Sequence, residues 1–362
     1  MAMQNRYQSM AKADLEAARS AKKDEFYTQL DDIAKELKYY KPYFKDKVVF
    51  CNCDDPYESN FFKYFALNFN LLGLKKLIAT CYNGSPIAGD ELPLLFEIDE
   101  TEPKKIAYKV EITEVQDYNN DGAVNLADVQ WLIQNDKNAL SLLKGNGSFD
   151  SSECIELLKE ADIVVTNPPF SLFREYIALL MKYEKKFLII GNQNAISYKE
   201  IFPLIKDNRL WLGLTMNGAN RWFQVPDSYE KYHKIENGKK YAFVAQVVWF
   251  TNLDHKVRHE TIDLYKYYNE SEYPSYDNYN AINVDRVTEI PCDFEGIIGV
   301  PITFLHKYSP NQFEILGMSA SAGYNPEIVG IPFLGEKDAR PLINGKNTYA
   351  RIFIRNKKPQ KP

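Results

Sequence analysis

The sequence predicts an α/β protein of the doubly wound kind, and three observations carry that expectation. The first is Lys47-Val48-Val49-Phe50, a strand that runs into the polar turn Cys51-Asn52-Cys53-Asp54-Asp55-Pro56. A helix from about Ser59 to Leu72 follows, then a second strand, Leu77-Ile78-Ala79-Thr80. The second is the short β-branched run Ile163-Val164-Val165, closed by Asn167-Pro168-Pro169-Phe170 and followed by a helical pattern from Ser171 to Tyr176. The third is the return of the same rhythm: helix 171–183, strand Phe187-Leu188-Ile189-Ile190, a helix near 198–206, and Leu210-Trp211-Leu212-Gly213-Leu214.

The remaining elements fall around this frame. Residues 9 to 40 read as helix, because Leu15, Ala18, Phe26, Leu30, Ile33 and Leu37 recur at near-helical spacing. From Pro93 to Glu114 the pattern alternates, as in Lys105 to Ile112, and predicts an inserted hairpin. A helix over 151–160 leads to the strand 162–166. Later strands are expected at Arg221 to Val225 and Ala242 to Phe250. After about Asn252 a Tyr-rich polar segment and a β-rich tail to Arg355 predict a separate module. The expected division is 1–252, with an insertion at about 93–145, and 253–362.

Composition narrows the function classes. Net charge is −5, so no global basic field exists and any nucleic-acid contact must come from local patches. Five cysteines (Cys51, Cys53, Cys81, Cys154, Cys292) show no repeated metal spacing and read as reduced thiols. No apolar stretch approaches membrane-spanning length and residues 1–6 lack a signal core, so a cytoplasmic protein without membrane contact is expected.

Two consecutive prolines at 168 and 169 fix φ and remove two backbone donors, so the turn can continue neither a helix nor a ladder. What remains is a stiff bracket of acceptors, the Asn167 side-chain oxygen and a backbone carbonyl, with Phe170 beside it. Such a bracket suits an exocyclic amine. It resembles the catalytic motif of enzymes that methylate an NH2 group on adenine, cytosine or glutamine. An ordinary Pro-rich loop is the bland alternative.

The likeness extends over nearly the whole chain. Asp24-Glu25-Phe26-Tyr27-Thr28, Cys51 to Pro56, Ala161 to Arg174, Lys186 to Asn192, Gly218 to Phe223 and Ile343-Asn344-Gly345-Lys346 together resemble the EcoRI-type family of adenine-N6 DNA methyltransferases. The resemblance implies a Rossmann-like, S-adenosylmethionine-dependent fold with a C-terminal target-recognition region. It implies methyl transfer to N6 of an adenine flipped out of duplex DNA, with Asn167, Pro168, Pro169 and Phe170 as catalytic residues. By the same likeness Tyr27, Thr28, Asn52, Asp54, Asp55, Phe149, Asp150 and Asn167 would contact the cofactor. Double-stranded DNA is then the partner, a cognate restriction endonuclease can share its site, and a monomer is expected.

This chain departs from the common pattern three times. Ala79-Thr80-Cys81-Tyr82 offers no carboxylate after the second strand to hold a ribose, and the turn at 52–55 has no glycine. Ser148 also stands where an acid is expected, so Asp150 either substitutes for it or caps the helix that begins at Ser151. Trp222 or Phe223 would wall the base pocket unless both are strand core.

A second motif is independent of methylation. In 117–128, Asp117, Asn119, Asp121, Asn125 and Asp128 place oxygens at positions 1, 3, 5, 9 and 12 of a calcium-type loop. Gly122 stands at position 6 and the Ala123 carbonyl at position 7. A structural Ca2+ is expected, against the alternative of a solvated Asx-rich turn. Phosphate contacts are expected from the terminal basic clusters (Lys12, Arg19, Lys22, Lys23; Lys346, Arg351, Arg355, Lys357, Lys358, Lys361), with Arg221 and Lys199 as alternatives. The competing functions are a cytosine-N4 or protein-glutamine methyltransferase and a non-catalytic DNA-binding protein on the same fold.

Overall fold

The computed structural model describes residues 28–53, 55–56, 59–82, 107–135, 139–225, 229, 232–319, 324–335 and 339–360. It separates into two compact units. One comprises Met1–Gln193 with Thr215–Leu253, the other Asn194–Leu214 with Asp254–Pro362.

In chain order, the described part of the first unit opens with α1 (Leu30–Leu37). Of the helix expected over 9–40, residues 9–27 lie outside the described residues, and past Tyr40 the chain turns into a 3-10 turn at Lys41–Tyr43 built on Pro42. Then come β1 (Val48–Asn52), α2 (Asn60–Leu67), α3 (Phe69–Leu72) and β2 (Lys76–Cys81). Ser59 caps α2, its hydroxyl accepting from the N–H groups of Phe61 and Phe62 at 3.2 Å each. Such a cap is worth about 1 kcal/mol. Gly73 ends α3 in the left-handed conformation.

Next are β3 (Tyr108–Ile112), α4 (Leu126–Asn135), β4 (Leu140–Leu142), α5 (Ser152–Glu160), β5 (Ile163–Thr166), α6 (Phe173–Lys182) and β6 (Lys186–Asn192). Of the hairpin expected over 93–114, residues 93–106 lie outside the described residues. The described part, β3, is a strand of the main sheet, antiparallel to β2 and to β4. α7 (Phe202–Lys206) and β7 (Trp211–Leu212) belong to the second unit. β8 (Ala219–Val225), β9 (Lys234–Glu236) and the 13-residue β10 (Lys239–Thr251) complete the first.

The sheet of this unit runs β4-β3-β2-β1-β5-β6-β10, with β8 and β9 also on β10. The pairs β2–β1, β1–β5 and β5–β6 are parallel, and β10 is antiparallel to β6. β1 and β5 are buried along their whole length, which explains their unbroken apolar sequence. Alternate residues serve opposite faces. Val49, Cys51, Leu77, Ile163, Val165, Leu188 and Trp249 share one core with Ile33, Leu37, Phe61 and Phe65 of the helices. Phe250, of the opposite parity, meets Phe173 of α6 with ring centroids 4.9 Å apart. Both faces are therefore covered. The chain moves from β1 outwards to β2 and later returns to β5 on the other side of β1, so strand order reverses at β1. Crevices of that kind, at the carboxyl ends of the strands, are where such sheets bind ligands.

In the second unit, β11 (Ile282–Asn283), β12 (Ile298–Pro301), β16 (Arg351–Asn356) and β13 (Phe313–Met318) form a sheet in that order, and β14 (Leu342–Ile343) pairs with β15 (Lys346–Asn347). Tyr276 and Tyr279 of the Tyr-rich segment are buried against Phe353, their hydroxyls donating to Asn283 Oδ1 and the Ala339 carbonyl. Tyr265 and Tyr267 stay exposed.

Candidate active site

The site is assembled where β1 and β5 end side by side. Asn52, the last residue of β1, is 1 % exposed. Its backbone carbonyl accepts a hydrogen bond from the Thr166 hydroxyl, and its Oδ1 accepts one from the Tyr176 hydroxyl of α6. The Asn52 amide is thereby locked. Its Nδ2 is buried and finds no hydrogen-bond partner among the described residues, and neither does Thr28 Oγ1. Buried amide and hydroxyl groups are rarely left so, because the lost hydrogen bond costs about 1–3 kcal/mol. Both atoms fit a polar ligand at the strand ends. Thr28 is held near the start of α2, its carbonyl accepting from Asn60 Nδ2 at 2.8 Å.

Asp55 is buried and well held. Its Oδ1 accepts from the Tyr108 hydroxyl at 2.8 Å, and its Oδ2 lies 3.4 Å from Cys81 Sγ. Tyr108 sits opposite Cys81 in the β2–β3 ladder. The carboxylate that β2 itself lacks is thus delivered to its end from the loop after β1.

The loop before α5 closes on the same corner. Gly147 has φ +73, and a Cβ there would stand 2.3 Å from the Cys81 carbonyl oxygen, so a side chain is barred on two counts. That close approach brings Phe149 edge-on to Tyr176, with centroids 5.0 Å apart and planes at 83°. Asp150 does not cap α5. Ser151 is the N-cap, accepting from the Cys154 N–H at 3.3 Å, while exposed Asp150 accepts from the Ser148 hydroxyl. The reason is geometric: the extended backbone of the cap falls at residue 151.

Asn167 and Pro168 are buried directly after β5, and Pro169 is half-buried. The Pro169 carbonyl accepts the Leu172 N–H at 3.0 Å, which starts a 3-10 turn at Phe170 rather than the helix expected from residue 171. Phe170 is 4 % exposed and belongs to the main core of the unit. Tyr27 and Asp54 lie outside the described residues.

Of the expected site residues the structure brings Asn52, Asp55, Phe149 and Asn167 to one edge. Sequence reasoning missed Tyr108, Thr166 and Tyr176. Each looked like an ordinary member of a strand or helix pattern, and only tertiary pairing gives its hydroxyl a partner in the site. Phe223 is strand core, whereas Trp222 is 39 % exposed on the opposite face of β8.

The loop 117–128 closes on itself. Asp117 accepts from the N–H groups of Asp121 and Gly122, Asn119 from that of Asp121, Asp121 from that of Ala123, and Asn125 from that of Ala127. Buried Asp128 accepts from the N–H groups of Asn125, Tyr118 and Asn119 at 2.8, 2.8 and 3.2 Å. These bonds, from Asn125 first, hold its carboxyl below the usual carboxylate range. Among the described residues no group of three or more His, Cys, Asp or Glu is arranged to hold a metal ion.

The basic tail divides. Arg351 is buried, its Nε donating to Asn283 at 3.0 Å and its Nη2 to Asp285 at 2.8 Å, so it is a structural group rather than an exposed phosphate contact. Lys357 donates to the Pro310 carbonyl at 3.0 Å. Lys12, Arg19, Lys22, Lys23 and Lys361 lie outside the described residues. Among the described residues no helix is long and apolar enough to cross a membrane.

Known proteins resemble this chain over nearly its whole length. Residues 14–357 match the family described as adenine-specific methyltransferase EcoRI. The type II methyltransferase M.EcoRI of Escherichia coli is 46 % identical over 358 residues, 96 % of this chain and 97 % of that one. Type II methyltransferases of Mycoplasma genitalium (M.MgeORF184P) and Mycoplasma pneumoniae (M.MpnI) are each 36 % identical, over 93 % and 94 % of this chain and 97 % of theirs. No solved structure matches.

Proposed function

Because the chain belongs to the EcoRI family of adenine-specific methyltransferases and is a site-specific adenine DNA methyltransferase, we propose that the turn Asn167-Pro168-Pro169-Phe170 performs the transfer, from S-adenosylmethionine to N6 of an adenine flipped out of the duplex. The observation that carries this reading is the joint between β1 and β5. Thr166 donates to the Asn52 carbonyl, so the residue before Asn167 and the end of the cofactor strand form one corner.

N6 is a weak nucleophile because its lone pair is delocalised into the ring. Acceptors at the Asn167 side chain and the Pro168 carbonyl would take its two hydrogens and hold the nitrogen for attack. The cofactor supplies the activated methyl group. On the protein side, Asn52 Nδ2 and Thr28 Oγ1 are the buried groups that fit its polar atoms, Asp55 stands in for the missing ribose carboxylate, and Phe149 flanks the ring. Tyr27, Asp54 and Asp150 complete the expected set. Neither Asn167 nor a proline can act as a base, so the proton leaves to water. The target base cannot be reached inside a duplex, and extruding it costs about a few kcal/mol. The module 253–362 would choose the sequence, a monomer acting in the cytoplasm would carry out the reaction, and a restriction endonuclease cutting the same site is the implied partner.

The deciding experiment incubates the protein with labelled S-adenosylmethionine and unmethylated bacterial DNA, then digests to nucleosides. N6-methyladenine is expected, and Asn167→Ala should reduce it at least about 100-fold, since a group acting in the transition state is removed. Label in cytosine, or undiminished label in Asn167→Ala, would overturn the reading.

The loop 117–128 is offered as a structural calcium site on the oxygen spacing of Asp117, Asn119, Asp121, Asn125 and Asp128, with Gly122 at φ +94 in the sixth position and the Ala123 carbonyl next. The ion would compete with the loop's own N–H groups. A melting temperature that rises with calcium over chelator is expected; identical melts would leave the loop a self-closed Asx turn.

A further inference from the structure

The pairing registers show that β10 is longer than the sheet it belongs to. Thr251 to Val247 pair with Leu188 to Asn192, so β6 ends where β10 still has residues 239–246 to run. Beyond that point β10 is held by β8 on one side, from Val244 opposite Arg221 to Lys240 opposite Val225. On the other side it is held by β9, from Tyr241 opposite Lys234 to Lys239 opposite Glu236. Because β10 is antiparallel to β6, this extension projects past the carboxyl edge of the sheet, the edge that carries Asn52 and Asn167. Eight residues at about 3.3 Å each give a ribbon of up to about 26 Å. Gln246, at φ +57 in the register shift between Val244 and Val247, bends it at its root. The tip is the two-residue turn Asn237-Gly238, both at positive φ (50° and 76°), the tightest way to close a hairpin.

The two faces of the ribbon differ. Ala242 and Val244 join the main core with Phe223 and Val225. The opposite face holds Trp222 against Phe243 at 4.9 Å. Lys234 lies over the rings of Trp222 and Tyr241, at 4.7 and 5.1 Å. Lys240, of the same parity as Ala242 and Val244, lies over the exposed ring of Tyr232 at 4.7 Å and donates to the Tyr229 carbonyl at 3.4 Å. Lys239 stands exposed beside the turn. Glu236 brings an opposing charge 2.6 Å from Lys234, in a pair open to solvent. A pair so open to solvent is strongly screened and exchanges readily for another anion.

We propose that this ribbon is a DNA arm: Lys234 and Lys240, steadied on the rings of Trp222, Tyr241 and Tyr232, and exposed Lys239 grip the phosphate backbone beside the target adenine. The proposal rests on the methyltransferase reading, because DNA is the substrate that must lie along this edge. It adds a surface that the net charge of −5 conceals. Lysines held over aromatic faces lose less freedom on meeting a phosphate than free ones. Contacts of this sort hold the duplex in register without reading sequence.

The test uses the full chain and an unmethylated duplex of about 40 base pairs of arbitrary sequence, since phosphate contacts are sequence-independent. Affinity is measured over a range of salt concentrations for the wild type, for a triple variant carrying K234A, K239A and K240A, and for the matching triple arginine variant. Calorimetric binding of S-adenosylmethionine reports that each is folded. Removing three phosphate contacts should flatten the slope of log K against log salt by about two to three and weaken binding at least 10-fold, and the arginine variant should retain both. Wild-type affinity and slope in the folded alanine variant overturn the arm. If the alanine variant does not bind cofactor, Lys239→Ala alone, at the exposed turn, decides the matter: a loss of about one in slope supports the arm and an unchanged slope overturns it. A wild type that makes no N6-methyladenine yet shows the ribbon-dependent slope would sink the enzyme reading and leave the arm standing.

Discussion

Asn52 shows how much a single side chain can depend on a residue far away in sequence. Its amide is oriented by the Tyr176 hydroxyl, 124 positions on. Removing that hydroxyl frees the amide to rotate without disturbing the ring's edge-on contact with Phe149. Tyr176→Phe is therefore expected to weaken cofactor binding by about 1–2 kcal/mol, roughly 5- to 30-fold, in calorimetry. An unchanged affinity would mean that Asn52 is not a cofactor contact. Phe170 calls for a different expectation. At 4 % exposure in the main core it is a structural ring as well as a candidate base platform. Phe170→Ala should cost about 3–5 kcal/mol in urea unfolding, so its loss of activity must be read on protein shown to be folded. If stability is unchanged, the ring is held by less than its burial indicates.

At the scale of elements, the loop 117–128 and α4 behave as one piece because Asp128, in the first turn of α4, receives N–H groups from both ends of the loop. Its folded pKa lies below the unfolded value. The stability it confers is therefore present above about pH 4, the ordinary aspartate value, and is lost as pH falls through the lowered folded pKa. Asp128→Asn should lower the melting temperature at pH 7, and the difference from wild type should shrink on acidification below about pH 4. A pH-independent difference would show that the charge is not what closes the loop. The loop before α5 depends on a distant partner in the same way. Gly147 reads as one more turn residue, yet its close approach to the Cys81 carbonyl is what sets Phe149 in place.

For the whole molecule the chain path matters more than composition. The change in composition at about residue 252 falls next to Leu253, where the first unit ends, but the second unit also takes in 194–214. Phe202, Ile205, Leu210 and Leu212 are buried there. Arg258 lies 3.6 Å over the Trp211 ring, and His255 is 3.3 Å from the Leu212 carbonyl. A fragment 254–362 lacks all of these partners. It is expected to give no cooperative thermal transition alone and to gain one when 194–214 is fused to it. A sharp melt of 254–362 by itself would show that the borrowed segment is dispensable.

What could be read from residues in order was whatever is governed by neighbours in sequence. β-Branched runs gave β1 and β5, two prolines gave the rigid turn after β5, and an apolar period gave α6. The carboxyl edge as the place to look for a site was expected from the same pattern. Folding in space decided the rest, because its causes join residues that are distant in the chain. The Tyr108–Asp55 and Tyr176–Asn52 pairs, the burial of Phe170 and Arg351, the antiparallel place of β3 and the reach of β10 beyond β6 all depend on pairing and packing across many residues. No local propensity encodes which hydroxyl will meet which amide. A hydrogen bond that orients a binding group is a property of two surfaces brought together, and only the assembled sheet brings them there.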